Sequence, residues 1–364
     1  MKPKRLDHNR TILQRATKAI RSFAKADSSS GRRPDEILLH VGLAKTGTTS
    51  IQQFCYENSS DLQAHGILYP KSGLHGPGHQ DLGIAALPQR LANVDVGHDR
   101  KATAEQILSS VSAELNGAPD HVNRILLSSE RFGALRADEI RHFSTLFPRQ
   151  ITKPILYLRR QDLLAESLFA QALRARITIA KERILSPQIP GHHFMRFHSL
   201  IQNWESAFGA GNVIVRRFQK RSDGNDIIHD FLEAIGALSI PRNDSGYHLN
   251  SKLSRDALHY LYFHTNLRYG TREYNLVAKK LSEYSKANPT PPQYRNFFSP
   301  ADRLAFLEKN AEENRKVAQE YFGTSELFDG PLPSLDEPWE PYPGLEKSAL
   351  FEIESYVSPA LHAA

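Results

Sequence analysis

The sequence predicts an α/β fold, in which helices cover both faces of a central parallel sheet and so make three layers. One observation is a set of short apolar runs typical of buried strands, at residues 37–41, 125–129, 154–159 and 212–216. Another is a set of longer runs with helical spacing, at residues 103–115, 163–175 and 197–207. Strands that alternate with helices indicate a parallel sheet, because each parallel pair needs a crossover connection. Residues 254–322 are predicted to be mostly helical.

The segment after the first predicted strand has the composition of an anion-binding turn. It reads Lys45-Thr46-Gly47-Thr48-Thr49 and leads into a predicted helix. Glycine permits a backbone approach that a side chain would block, and the amides of a helix N-terminus attract anions. The lysine adds a positive charge and the threonines add hydroxyl donors. In a Walker A motif the lysine follows the second glycine, whereas here the lysine comes two residues before the glycine.

This order resembles the phosphosulfate loop of sulfotransferases that use 3′-phosphoadenosine 5′-phosphosulfate (PAPS). The resemblance implies a P-loop-type fold in which these five residues bind the 5′-phosphosulfate end of PAPS. It also implies that Lys45 is catalytic, because it would bond the oxygen that bridges sulfur and phosphorus. The alternative interpretation is a lysine and threonines on a solvated helix start.

A second segment, around the third predicted strand, is also similar to that family. Sulfotransferases carry an arginine at a strand end and a serine eight residues later, which hold the 3′-phosphate of PAPS; Arg159 and Ser167 have this spacing. Arginine suits the role because its planar group can make two parallel bonds to a phosphate. The alternative is a surface ion pair between Arg160 and Asp162, together with a helical serine that bonds to its own backbone.

The resemblance covers roughly residues 37–328 and is weaker outside the two phosphate segments. Soluble cytosolic sulfotransferases carry an aromatic residue directly after the loop threonines, where this chain has Ser50. The chain therefore looks more like the bacterial and Golgi carbohydrate enzymes, and the residue that stacks on adenine is unassigned. These relatives imply a sugar hydroxyl on a glycan or glycolipid as the acceptor. Residues that would select a particular acceptor lie in loops without a recognisable code.

A transferase of this kind needs a base, because an alcohol is a poor nucleophile at neutral pH. Glu130 follows the second predicted strand, and ligands of parallel sheets bind beyond the carboxyl ends of strands. It is the first candidate, and the alternative is a structural pairing with Arg131 or Arg136. The second candidate is His79 in a glycine-rich loop, which could equally be an exposed residue or an acceptor contact. The resemblance implies a histidine base in cytosolic relatives and a glutamate in several carbohydrate enzymes.

Composition indicates an ordinary soluble enzyme. The chain has 364 residues with 40% hydrophobic content, no apolar run long enough to span a bilayer, and no segment that resembles a signal peptide. Its single cysteine, Cys55, excludes an internal disulfide and fits a reducing compartment. We therefore expect a cytoplasmic protein. No Cys/His set has metal-ligand spacing, so no metal is predicted.

The basic charge of the chain lies in its N-terminal segment. Residues 1–33 contain ten Lys or Arg and two Asp, a net charge of +8, whereas the whole chain carries +6. The rest is slightly acidic, which argues against nucleic-acid binding. Apolar and basic residues at helical spacing in this tail allow a basic amphipathic helix on the inner face of a membrane. A helix packed on the domain, or a disordered leader, is the alternative that the sequence favours.

The predicted domain organisation has three parts. Residues 1–33 form the basic tail, residues 34–330 the sulfotransferase-like α/β domain, and residues 331–364 a proline-rich C-terminal extension. Two other functions stay open at this point. A kinase or other P-loop NTPase would share the fold, but its lysine order differs and it needs an acidic residue for magnesium. A non-catalytic glycan-binding protein that has kept a nucleotide fold is the other.

Overall fold

The computed structural model describes residues 32–86, 102–185, 193–219, 226–242 and 253–362. The stretch of the N-terminal tail for which the sequence allows an amphipathic helix lies outside these residues. The chain divides into two compact units, each of which is described by itself. Unit 1 comprises the described residues within Met1–Arg159, His193–Tyr247 and Lys316–Leu327. Unit 2 comprises those within Arg160–His192, His248–Arg315 and Phe328–Ala364.

Unit 1 is built on a parallel sheet. The strands are β1 (Glu36–Val41), β2 (Ile67–Leu68), β3 (Arg124–Ser129), β4 (Thr152–Leu158) and β5 (Ile214–Arg217), and their spatial order is β2-β3-β1-β4-β5.

The helices of both units, in chain order, are α1 (Thr48–Glu57), α2 (Ser59–Ala64), α3 (Gln80–Ala86), α4 (Ala104–Gly117), α5 (Ala137–Ser144), α6 (Gln161–Arg174), α7 (Lys181–Ile184), α8 (Phe197–Phe208), α9 (Ile227–Ala234), α10 (Arg255–Phe263), α11 (Arg272–Ala287), α12 (Pro300–Glu308), α13 (Ala311–Val317) and α14 (Lys347–His362).

Helices cover both faces of this sheet. On one face, α1 and α9 pack over the strands, and Phe54, Tyr157 and Phe231 share a buried cluster there. On the other face, α8 packs against β4 and α5, and its Trp204 lies edge-on to Phe143 at a ring distance of 6.4 Å. The predicted three-layer α/β architecture is therefore confirmed.

Each strand and helix predicted from a single apolar run begins and ends within two residues of the predicted bounds. Strand β5 begins at residue 214 rather than 212, because the Asn212 side chain donates to the carbonyl of Phe208 at 2.8 Å and so completes the end of α8. The short strand β2 was not predicted, because two residues are too few to show a period. Thr103 caps α4 with a reciprocal bond to Gln106, which is why that helix begins at Ala104.

Unit 2 is helical where it has regular structure. Helix α6 packs against α10 and α12, and α11 packs against α14. The Glu166 carboxylate accepts the backbone amides of Phe297 and Phe298 at 2.8 and 3.0 Å. Residues 331–344 are mostly exposed and have no helix or strand. Helix α14 follows them, and the sequence did not predict it. The predicted three-part domain division stays a prediction.

Candidate active site

The loop after β1 is held close to the end of β3. The ladder pairs Val41 with Ser129, and the Gly42 amide continues it by donating to the Ser129 carbonyl at 3.1 Å. A Cβ on Gly42 would lie 2.6 Å from Thr48 Cγ2 and 3.0 Å from Glu130 Cα. Only glycine fits there, so the loop and Glu130 meet backbone against backbone.

Two residues of this loop have left-handed backbone. Gly47 has a φ of 79°, and Lys45, which carries a side chain, has a φ of 63°. A left-handed lysine costs roughly 1–2 kcal/mol, so the surrounding structure must hold it in place. Non-glycine residues in this conformation cluster at functional sites, which makes Lys45 the strongest backbone signal in the loop.

The loop threonines divide into structural and accessible ones. The hydroxyls of Thr46 and Thr48 are buried and both donate to the Leu43 carbonyl, at 2.7 and 3.2 Å. Their protons therefore stabilise the loop itself. The Thr49 side chain is exposed. Of the predicted phosphate-binding hydroxyls, that of Thr49 is the one most accessible to a ligand.

Helix α1 begins at this loop. Gly47 occupies its N-cap position and has no side chain to cap the first amides, whereas Thr103, Asp226 and Ser254 cap other helices with side-chain oxygens. The positive end of the helix dipole points to the same place. Together with Lys45, this arrangement suits a bound anion.

Glu130 lies at the carboxyl end of β3 beside this loop. Its side chain is accessible to solvent but has protein on several sides, and this partial burial raises the pKa of its carboxyl above the ordinary range. The positive charges of Lys45 and Arg131 lower the pKa and so oppose the effect. Among the described residues, Glu130 has no ion-pair partner, so the alternative pairing with Arg131 or Arg136 is not seen. An accessible carboxylate next to a lysine can accept a proton from a bound hydroxyl.

Arg159 follows β4 and reaches the same loop from the other side. Its guanidinium donates to the Lys45 carbonyl at 2.8 Å and lies 5.4 Å from the ring centre of Phe218. Phe218 also closes over Gly47, where a Cβ would lie 2.9 Å from the ring. Sequence reasoning missed Phe218, because it follows β5 and meets the loop only in the folded chain. Arg159 therefore supports the backbone of Lys45.

His79 does not have the geometry of a base. It is fully buried, its Nε2 donates to the Pro70 carbonyl at 2.9 Å, and its Nδ1 accepts the Ser128 amide at 3.1 Å. Burial lowers its pKa to about 4. Both ring nitrogens are hydrogen-bonded to backbone groups. This disfavours His79 as the base that takes the proton from the hydroxyl of the acceptor.

A buried polar cluster that the sequence did not predict surrounds Ser128. The Ser128 hydroxyl accepts the Gln52 side-chain amide at 3.1 Å and is hydrogen-bonded to His40 Nδ1 at 2.8 Å. Burial lowers the pKa of His40 to about 3, so this ring is neutral under ordinary conditions. The cluster fixes β1, α1 and β3 relative to one another beneath the loop.

Arg160 and Ser167 belong to unit 2, whereas Arg159 belongs to unit 1. Arg160 is buried and forms a two-pronged pair with Asp162 at 2.7 and 3.0 Å, and Arg303 bonds the same carboxylate. The Arg160–Asp162 pair named as the alternative is therefore present, but it is buried rather than on the surface. Ser167 lies in α6 and is half-buried. A 3′-phosphate site shared by Arg159 and Ser167 stays a prediction.

Two features are absent from the described residues. No cluster of three or more His, Cys, Asp or Glu side chains there has the geometry to hold a metal ion. Within the same residues, no helix combines the length and apolar character needed to cross a membrane.

Comparison with known proteins gives few matches. No family model matches the sequence. An uncharacterized protein of Archaeoglobus fulgidus is 30% identical over 213 residues, which are 56% of this chain and 55% of that protein. The chain thus spans about half the length of this curated relative. A crystal structure of a sulfotransferase from Alicyclobacillus acidocaldarius is similar over 62% of this chain and 88% of its own, with a TM-score of 0.39 and 16% identity. A similarity this low does not assign a function.

Proposed function

We propose that the protein transfers a sulfuryl group from PAPS to a hydroxyl of a carbohydrate or glycolipid acceptor. The observation that carries this proposal is the position of Lys45, which is held in a left-handed turn ahead of an uncapped helix start and is electrostatically coupled to Glu130. The lysine-before-glycine order, with its resemblance to phosphosulfate loops, is the second support.

The loop fits an anionic sulfate–phosphate group. Gly47 gives the start of α1 no side-chain cap, and the hydroxyl of Thr49 is accessible beside it. Lys45 adds the positive charge that such a group requires. Bound PAPS would supply the sulfuryl group and leave as 3′-phosphoadenosine 5′-phosphate. In this proposal the amides of Thr48 and Thr49 bind the 5′-phosphate, while Arg159 and Ser167 bind the 3′-phosphate.

Lys45 and Glu130 have complementary roles. Glu130 accepts the proton of the acceptor hydroxyl as the new oxygen–sulfur bond forms. Lys45 stabilises the negative charge on the oxygen that leaves sulfur. The lysine also favours the ionised form of the glutamate before reaction, because its charge lowers the carboxyl pKa. A carboxyl that burial would otherwise keep protonated is thereby available as a base.

The test is transfer of label from sulfur-labelled PAPS to a panel of polysaccharides, glycolipids and small alcohols. We expect labelled product with at least one glycan or glycolipid and none with the Lys45→Ala variant. Hydrolysis of ATP that depends on magnesium, without transfer from PAPS, would instead identify a P-loop NTPase. Binding of PAPS without transfer to any acceptor would identify a non-catalytic protein.

The setting of this reaction is also a proposal. We place the enzyme in the cytoplasm, with the basic tail of residues 1–33 as a peripheral contact to the inner face of the membrane. Nucleic acid is not among the proposed partners, because the chain beyond the tail is slightly acidic.

A further inference from the structure

We infer that a groove between α1 and the loop after β2 is a binding subsite for a pyranose ring of an oligosaccharide. The groove has a volume of about 460 Å³ and is lined by Gln53, Tyr56, Lys71, Leu74, Gly76 and Pro77. All six residues belong to unit 1. The inference rests on the proposed function in that it names where part of the acceptor binds.

The chemistry of the lining matches a sugar ring. Tyr56 is 52% exposed, which is unusual for a large aromatic residue and leaves a ring face for the C–H groups of a sugar. Leu74 and Pro77 add apolar surface. Gln53 supplies a polar group for sugar hydroxyls, and Lys71 supplies a positive charge for a carboxylate. Ligand sites commonly combine apolar walls with a few polar groups in this way.

The wall opposite Tyr56 is held in place by hydrogen bonds between side chains and its backbone. The Glu114 carboxylate accepts the amides of Lys71 and Ser72 at 2.8 and 2.7 Å. The Tyr69 hydroxyl donates to the Pro77 carbonyl at 2.7 Å. A wall fixed in this way costs little entropy on binding, which favours affinity.

The end of this loop packs closely against α1. A Cβ on Gly78 would lie 2.6 Å from the Gln52 side chain, so glycine allows the contact. His79 then bonds Pro70 and Ser128, as described above. The glycine-rich loop therefore forms one wall of the groove rather than supplying a base.

The charge of the groove indicates which sugars it prefers. Lys71 is the cation in the lining, and it forms no ion pair among the described side chains. Gln53 donates its side-chain amide to the Glu57 carboxylate, which leaves the Gln53 carbonyl oxygen available as an acceptor for a sugar hydroxyl. A uronate ring therefore gains an attraction to Lys71 that a neutral ring lacks.

The groove lies at a distance from the loop that suits an extended acceptor. Tyr56 is eight residues beyond Thr48 on α1, which corresponds to about 12 Å of helix rise. A ring on Tyr56 is therefore too far away to be the sugar that reacts. The subsite would hold a neighbouring part of the acceptor and fix its orientation.

Binding to the full-length protein tests the subsite without any transfer reaction. Fluorescently labelled tetragalacturonate and cellotetraose serve as anionic and neutral probes, and fluorescence anisotropy gives their dissociation constants. We expect both to bind, tetragalacturonate more tightly. Tyr56→Ala should weaken both probes about 10-fold or more, and Tyr56→Phe should retain both. Lys71→Ala should remove the preference for tetragalacturonate and leave cellotetraose unchanged.

The matched control is Tyr269→Ala, because that tyrosine is 53% exposed but lies outside the groove. Its variant should bind both probes as the native protein does. Native affinity in Tyr56→Ala, or no binding of either probe by the native protein at millimolar concentration, would overturn the subsite. Loss of PAPS binding with intact probe binding would overturn the sulfotransferase proposal instead, so the two failures are distinguishable.

Discussion

The end of β3 and the glycine-rich loop after β2 both offer a titratable residue, but the fold uses the two residues differently. Glu130 stays accessible to solvent beside Lys45. His79 is buried, and both of its ring nitrogens are hydrogen-bonded to backbone groups of Pro70 and Ser128. A residue type suited to proton transfer is therefore not enough. Whether such a residue can act as a base depends on whether its polar atoms are already hydrogen-bonded to the backbone.

The largest effect is expected at Lys45, the cation beside Glu130. Lys45→Ala should lower kcat about 10³-fold, because charge on the leaving oxygen loses its partner. The variant should also move the acidic limb of the remaining activity to higher pH, since Lys45 lowers the pKa of Glu130. Steady-state kinetics with labelled PAPS measure both. The control is Lys153→Ala, at the amino end of β4, where the lysine pairs with Glu36 at 2.6 Å. Native turnover in Lys45→Ala would contradict its assigned role.

The next effect tests the base itself. Glu130→Gln should lower kcat about 10²-fold to 10³-fold and leave PAPS binding intact. In the native enzyme, activity should rise as the pH increases through the raised pKa of Glu130, because the base must be ionised to accept a proton. This limb should lie above the range of an ordinary glutamate and vanish in the variant.

The control for this experiment is Asp138→Asn, an exposed carboxylate on the following helix. It should keep the native rate and pH profile. If Glu130→Gln transfers sulfate at the native rate, Glu130 is not the base, and the comparison with His79 loses its basis.

A smaller effect is expected at Arg159, which supports the loop from the β4 side. Arg159→Ala should raise the KM for PAPS about 10-fold, because a charged hydrogen bond is worth roughly 1.5–3 kcal/mol. A modest fall in kcat should accompany it, since the Lys45 carbonyl loses its partner. Arg159→Lys should restore part of the loss. Unchanged KM and kcat in the alanine variant would show that Arg159 neither binds PAPS nor supports the loop that carries Lys45.

The smallest effect on turnover is expected at His79. His79→Ala should lower the free energy of unfolding by about 1–3 kcal/mol, because it leaves the buried Ser128 amide unpaired. Turnover per folded molecule should change little. Denaturant unfolding, followed by assays normalised to folded protein, separates the two. The control is His75→Ala, at an exposed histidine in the same loop, which should change stability far less than His79→Ala does. Native stability with lost turnover in His79→Ala would return the catalytic role to His79.

Most of the fold could be predicted because buried parallel strands appear in the sequence as short, continuous apolar runs. The runs that became β1, β3 and β4 are continuous and apolar, and a parallel sheet brings their carboxyl ends to one edge. The positions of Lys45 and Glu130 at that edge followed from this geometry. Strand β2 has two residues, which are too few to form a recognisable apolar run.

The parts that could not be predicted depend on contacts between distant segments. The bond from Arg159 to the Lys45 carbonyl joins residues 114 positions apart, and it involves a backbone atom that no side-chain pattern reveals. Phe218 reaches Gly47 in the same way. His79 lies in a polar, glycine-rich stretch that suggests exposure, yet the loop folds inward and buries it completely.

Calorimetric titration of the purified protein with PAPS, and separately with ATP and magnesium, tests the central claim most directly. The site described here predicts heat of binding for PAPS in the absence of metal, and a strongly reduced affinity in the Lys45→Ala variant. Saturable binding of ATP with magnesium, together with no response to PAPS, would contradict it.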